Sequence, residues 1–389
     1  MYRCALAAGV LLVSGLAACG NPVVPTSKTS TPSLACSSST APVGRPEPAE
    51  AVVAVSGMPF SVLPIPGTDR AIASVTVGRP PGGELDVLQV RAASASLVSS
   101  KALPGASGAT GMVLSHNGRW LAVTTFYNGT FLVSVADLLA GTADPVVGQL
   151  EDGTSGQIEA AFSIDDRYLF VADENSAQLS VFDVERAFGS GFTSAHVAVG
   201  QVPLGPSPVG IAVSPDGRWV YVTTEGGNGE SGSLWLLDEH TATQHPAAAV
   251  VGHVGAGCDT VRVVLSPHGD VAWVTARASD VLIGFATAEL ITQPSRALRA
   301  VVRVGPEPVG LALYDGGRYA VVANSARFVT PNEPQSLTVV DLEAALAGRG
   351  AVVAWIAAGA FPREVATDGG LGLVTNYDSN TVEAFRLPT

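Results

Sequence analysis

The chain has 389 residues, is 47% apolar and only 14% charged, and is rich in Gly (43) and Pro (26). That punctuation suits many short strands and turns better than long helices, and high apolar content with few charges excludes disorder over most of the chain. The net charge is −13, with lysine only at Lys28 and Lys101, so no basic patch for nucleic acid can assemble.

Residues 1–18 begin Met1-Tyr2-Arg3 and run through apolar residues to Leu16-Ala17-Ala18, directly before Cys19. A short basic start, an apolar stretch and small residues before a cleavage point read as a secretory signal. The run is too short for a stable membrane span. The Leu-Ala-Ala-Cys tetrapeptide resembles the bacterial lipobox, which implies cleavage before Cys19 and its acylation. Such an anchor attaches a protein to a membrane without spanning it. No later segment offers 18 uninterrupted apolar residues, so no second membrane element is expected. The expected location is extracytoplasmic, lipid-anchored to the cell envelope.

Residues 19–50 are expected to be the lipidated cysteine followed by a Ser/Thr/Pro-rich flexible tether, because this composition buries nothing. Of the remaining cysteines, Cys4 leaves with the signal, Cys36 lies in the tether and Cys258 in the folded part. An oxidising envelope permits a Cys36–Cys258 disulfide, but a mobile tether makes a poor partner, and the sequence leaves that pairing open. There is no Cys-x-x-Cys pair, so no cysteine-based zinc site is indicated.

Residues 51–389 carry a repeat. Its clearest copy is Pro208-Val209-Gly210-Ile211-Ala212-Val213, a Ser214-Pro215-Asp216-Gly217 turn, then Arg218-Trp219-Val220-Tyr221-Val222-Thr223-Thr224, a loop, and Ser233-Leu234-Trp235-Leu236-Leu237-Asp238. An apolar strand, a turn in which Pro pre-sets φ and Gly accepts positive φ, and two further strands follow in order. Equivalent turns surround Arg70, Arg119, Arg167 and Arg318, with Asp270 in the arginine position of one copy, at steps of 49, 48, 51, 52 and 48 residues. A shorter last copy runs Val365-Ala366-Thr367-Asp368-Gly369-Gly370 into Leu373-Val374-Thr375-Asn376. Seven units near 50 residues with four short strands each predict a seven-bladed, all-β propeller of antiparallel blades. The segment Ala51–Val55 matches the outer strand of the earlier blades and is expected to pair near Val382–Phe385 and close the ring, since an open edge would otherwise remain.

The units resemble the bacterial YVTN-type seven-bladed propellers, through Val220-Tyr221-Val222-Thr223-Thr224 and Leu373-Val374-Thr375-Asn376-Tyr377. No Trp-Asp dipeptide occurs, which disfavours a WD40 repeat. The resemblance implies the fold over all of 51–389 and says little about activity. Relatives in this superfamily include lactonases and quinoprotein-like dehydrogenases.

In a four-stranded blade the entry to the innermost strand and the loop between strands 2 and 3 share one face, and function is sought there. The entry position reads as tiny in most blades, at Gly111, Ala161, Gly210 and Gly310, but as Arg262 in blade 5 and Glu364 in blade 7, with Arg363 adjacent. Glu159 and Asp259 lie a few residues upstream in their blades, and the 2–3 loops add Asn324 and Tyr377. These seven residues are the candidate ligand contacts, because charges round a narrow channel mouth need partners, water or a ligand. Asp and Asn on this face offer oxygen ligands of the kind Ca²⁺ takes, but without EF-hand spacing, and no metal or cofactor is expected. No Gly-x-Ser-x-Gly, His-Glu-x-x-His or Walker motif occurs, so no catalytic residue is assigned.

The function expected is that of a membrane-anchored binding or scaffold module, acting as a monomer on an envelope protein, a polysaccharide or a small polar ligand. The alternative, implied by the superfamily resemblance, is a lactonase-like hydrolase or quinoprotein-like dehydrogenase at the channel mouth.

Overall fold

The computed structural model describes residues 34–36, 44–91, 94–193, 197–227, 231–330 and 334–388. The signal segment, Cys19 and most of the tether lie outside them.

Seven four-stranded antiparallel sheets follow one another along the chain as the blades of a propeller. Blade 1 is built from Met58–Pro64, Arg70–Val77, Gly82–Arg91 and Ser94–Leu103, and blade 4 from Pro208–Val213, Trp219–Thr224, Ser231–Asp238 and Val250–Cys258. The innermost strands of neighbouring blades pack on one another around the axis. Strands 2 and 3 are the most deeply buried, because both their faces meet the flanking blades; Leu121, Phe170, Val222, Trp273 and Val322 are all at most 1% exposed.

The recurring turn has a chemical explanation. Ser214 Oγ accepts from the Trp219 amide at 2.9 Å and donates to Asp216, whose carboxylate accepts the Arg218 amide at 3.1 Å. The same triangle recurs at Ser115/Asn117/Arg119 and Ser163/Asp165/Arg167. Four of the five turn arginines, Arg119, Arg167, Arg218 and Arg318, lie over the aromatic ring that follows them, at 4.7–5.2 Å from Trp120, Tyr168, Trp219 and Tyr319. The repeating Arg-aromatic pair therefore covers the open end of strand 2 with a cation–π contact.

Blade 7 takes its outer strand from the N-terminal side. Ala51, Val52, Val53 and Ala54 pair with Ala384, Glu383, Val382 and Thr381, within the segment the repeat phase predicts. Only Val53 is buried, at 7% exposure, while Val52 is 56% exposed. The join is reinforced where Ser56 donates through its amide to Asp86 of blade 1 at 2.7 Å.

The segment expected to be a free tether is held at two places. Cys36 forms a disulfide with Cys258, so the partner that composition makes loose is covalently fixed. The carbonyl of Leu34 accepts from Ser279 Oγ at 3.0 Å, and Leu34 packs among apolar residues of blades 4 and 5. Farther on, Glu47 forms a parallel bridge with Ile356 of blade 6. Among the described residues no helix is long and apolar enough to cross a membrane.

Candidate functional site

The strand register arranges the channel mouth in three seven-membered layers, one residue per blade. The deepest, the throat, contains Ser61, Gly111, Glu159, Gly210, Arg262, Gly310 and Glu364; Ser61, Glu159 and Gly210 lie opposite Ser74, Ala172 and Thr223 of strand 2, and the other four lie within the register irregularity at the start of strand 1. Glu159, not Ala161, is the blade 3 member. The position lies four residues before the turn serine: Ser163 leads to Glu159 as Ser214 leads to Gly210 and Ser266 to Arg262. Ala161 lies two residues too close to that serine; the register irregularity at Gln157/Glu159 recurs at the start of strand 1 in every blade, so Glu159 is the regular member and the serine spacing identifies it.

Charged and glycine residues alternate round most of the throat, and this spacing permits an ion-pair plug. Arg262, 5% exposed, reaches across to carboxylates two blades away on each side. Its Nε donates to Glu364 Oε2 at 2.8 Å. Its Nη2 lies 2.8 Å from Glu159 Oε1 and 2.7 Å from Glu364 Oε2, with neither oxygen along an N–H direction. The glycines are required by the approach of the next blade: a Cβ on Gly111, Gly210 or Gly310 would lie 2.3, 2.3 and 2.6 Å from the carbonyl oxygens of Ile158, Val261 and Arg363. Burial pushes the Glu159 carboxyl up to about 7, against the pull of Arg262. Burial also opposes the Arg262 charge, but Glu159 and Glu364 outweigh it and hold its pKa above the ordinary value.

One residue outward is the collar: Phe60, Thr110, Ile158, Val209, Val261, Val309 and Arg363. Five of these form a common apolar cluster. Hydroxyls of strand 2 stitch this layer to its neighbours. Thr124, Thr223, Thr275 and Thr375 donate to the carbonyls of Ile158, Val261, Val309 and Phe60 of the following blade, at 3.2, 2.6, 2.9 and 3.2 Å, and Ser74 donates to Thr110. The threonine of the repeated Val-Thr motif is thus an inter-blade fastener.

The third layer is the rim: Thr76, Phe126, Glu174, Glu225, Arg277, Ser325 and Tyr377, the first residues after strand 2 or its end. In blades 3 to 7 the rim amide donates to the carbonyl of a left-handed residue before strand 1: Gly156, Ser207, Asp259, Glu307 and Phe361. Collar, rim and the upper side of Arg262 enclose an open cavity of about 510 Å³.

The predicted contacts divide. Arg262, Arg363 and Tyr377 line the cavity, while Glu159 and Glu364 lie beneath it and neutralise Arg262. Asp259 stands at the edge, 3.3 Å from Arg277. Asn324 does not line the cavity: it is fully buried and donates to Ser336 O and Thr338 Oγ1 at 3.1 and 2.9 Å. Strand alternation turns its neighbour Ser325 to the cavity instead. The sequence reading missed the collar and underrated Arg277, which holds both Glu225 and Asp259, at 3.0 and 3.3 Å. It also passed over Phe361. Counting four and five residues back from the turn serine, or from Ile65, Tyr314 and Asp368 where no serine stands, would have shown the throat and the collar. Among the described residues no group of three His, Cys, Asp or Glu side chains is placed to hold a metal ion.

Fold and site together define a seven-bladed β-propeller with a plugged axis and a charged, aromatic funnel above the plug. Among solved structures, it is similar to hydrazine synthase of Kuenenia stuttgartiensis, at 15% identity and a TM-score of 0.64 over 87% of this chain and 95% of that one. It is also similar to the β-propeller domain of Cps50 (Swd1) from Myceliophteria thermophila, at 12% identity and a TM-score of 0.63 over 86% and 98%. At these identities the likeness is one of fold. No protein-family model and no curated protein sequence matches the chain.

Proposed function

We infer that this protein is a binding propeller of the YVTN type that takes a small ligand in the funnel. The observation that carries this reading is the cavity itself, bounded by two complete rings of side chains and including charges with no ion pair among the described residues. The plug supplies a rigid floor, since opening it would strand buried charge. Its test is mass analysis of small molecules released on denaturing the full chain purified in mild detergent. A stoichiometric molecule supports the reading; a ligand-free protein whose funnel residues can be replaced without changing any captured molecule or partner removes it.

Anchoring at Cys19 outside the cytoplasmic membrane belongs to the same proposal. It rests on the lipobox resemblance, and the Cys36–Cys258 disulfide suits an oxidising compartment. Replacing Cys19 by Ser should release the protein from the membrane fraction, and unchanged partition would refute the anchor.

Hydrolysis at the throat is the second reading, and the observation favouring it is a carboxyl near neutral pKa beside a guanidinium, at Glu159 and Arg262. Against it, both carboxylates lie under the collar and are committed to Arg262. Lactone turnover by the full chain that disappears in Glu159→Gln would restore it.

A further inference from the structure

Four guanidinium groups line the cavity, and their partners differ. Arg262 is neutralised by Glu159 and Glu364, and Arg277 by Glu225 and Asp259. Arg363 and Arg327 have no carboxylate at ion-pair distance among the described residues. Arg363 stands at a position that is apolar or a hydroxyl in the other six blades. Its guanidinium lies 3.6 Å above the centre of the Phe60 ring, and its Nε has no hydrogen-bond partner. Arg327 reaches the same quarter of the funnel from the blade 6 loop: both guanidiniums lie against Phe361, at 4.9 Å for Arg327 and 5.4 Å for Arg363. A half-buried cation stacked on rings, lining a cavity with no carboxylate partner at ion-pair distance, is the arrangement that receives an oxyanion.

The rest of the wall sets limits on that anion. Glu174 and Glu225 occupy the rim on blades 3 and 4, across the axis from blades 6 and 7, so a polyanion spanning the funnel would meet like charge. The collar between them offers Ile158, Val209, Val261 and Val309, which present no hydrogen-bonding groups. Rings are supplied by Phe126, Phe361 and Tyr377.

We propose that the funnel recognises a small organic monoanion with an apolar or ring-shaped body, its oxyanion on Arg363 and its body on the aliphatic collar. This rests on the reading of the funnel as a ligand site and specifies what enters it. Burial, with repulsion from the Arg262 guanidinium, lowers the Arg363 pKa to about 10, which leaves it a cation at neutral pH with an incomplete set of partners.

The test is calorimetric titration of the ligand-free full chain, at low ionic strength, with 3-phenylpropanoate, 3-phenylpropanamide and 3-phenylpropylamine. The acid should bind at least tenfold more tightly than the isosteric amide, and the amine more weakly than either. Arg363→Met should bring the acid to the level of the amide, and Arg363→Lys should restore part of the difference. Arg327→Met, at an exposed rim position where folding is not at stake, should weaken the acid several-fold and leave the amide unchanged. Equal binding of acid and amide would overturn the anion proposal while leaving the cavity a ligand site. Failure of all three probes would also overturn it, and the mass analysis above decides the cavity reading separately.

Discussion

Arg262 illustrates how one side chain can close a channel. Three glycines leave room for it to cross the axis, and two carboxylates meet it there. A partner removed from a buried pair leaves uncompensated charge, at a cost of about 3–5 kcal/mol. Arg262→Met should therefore lower stability by that order in urea unfolding, whereas Arg363→Met should change it little, because Arg363 has no ionic partner to strand. The throat also imposes a pH dependence. The Glu159 carboxyl is raised from an ordinary 4.5 to about 7 in the folded chain by burial. Between those values the folded state holds the proton that the unfolded state has released, so the stability this group contributes falls as pH rises through that window. Asp173 and Glu383, also raised to about 7 by burial, act in the same direction. Denaturant midpoints should decline from pH 5 to pH 7.5, and Glu159→Gln should make the decline shallower; an unchanged slope would show that this carboxyl does not titrate there.

A blade is fastened to the next by a hydroxyl on strand 2. Thr223 Oγ1 lies 2.6 Å from the Val261 carbonyl and also receives the Gly210 amide at 2.9 Å. Thr223→Val keeps the shape but leaves a buried carbonyl and amide short of partners, which costs about 1–3 kcal/mol. Its effect should exceed that of Val222→Ile or a similar volume change in the same strand, as read from thermal unfolding. Blades 3 and 6 carry Ala172 and Ala323 at the equivalent position, so those two joins rest on packing without this bond. The helical turns after strand 3 are capped in a comparable way. Asp183, Asp238 and Asp341 each accept the amide three residues on, at 2.8 Å. Asp238→Ala should cost about 1 kcal/mol, the usual worth of an N-cap.

At the scale of the whole molecule the ring is held shut twice. Residues Ala51–Ala54 complete blade 7 through a ladder of main-chain bonds, and the Cys36–Cys258 disulfide joins points 222 residues apart. Cross-linking so long a loop restricts the unfolded chain by up to about 5 kcal/mol in the chain-entropy treatment. Truncation before residue 51 is consequently not free, contrary to what a loose tether would imply: it removes the disulfide and the Glu47 bridge. Chains beginning at residue 34, 51 and 57 should melt at successively lower temperatures. Adding reductant should lower only the first. A reductant-insensitive melting temperature for the longest chain would show that the disulfide contributes nothing to closure.

The division between what sequence and tertiary structure decide follows from the range of the forces involved. The number of blades, their strand order and the closing strand were legible because each depends on local signals repeated along the chain: a polar turn that varies from Ser214-Pro215-Asp216-Gly217 to Asp368-Gly369-Gly370, alternating apolar residues and a period near 50 residues. Arg262, Glu364 and Arg363 stood out because they break that period. Which carboxylates meet Arg262 was not legible, because the contact crosses the axis between blades roughly a hundred residues apart in the chain. Glu159 stood among the candidates but was read as lying upstream of an entry position set at Ala161, and strand alternation separated Asn324 from Ser325 by a single residue. The fate of Cys36 was equally hidden, since composition describes how a segment behaves alone and says nothing of a distant thiol. Local chemistry thus determined the repeat by itself, whereas only closure of the ring determined which of its exceptions touch one another and which face the funnel.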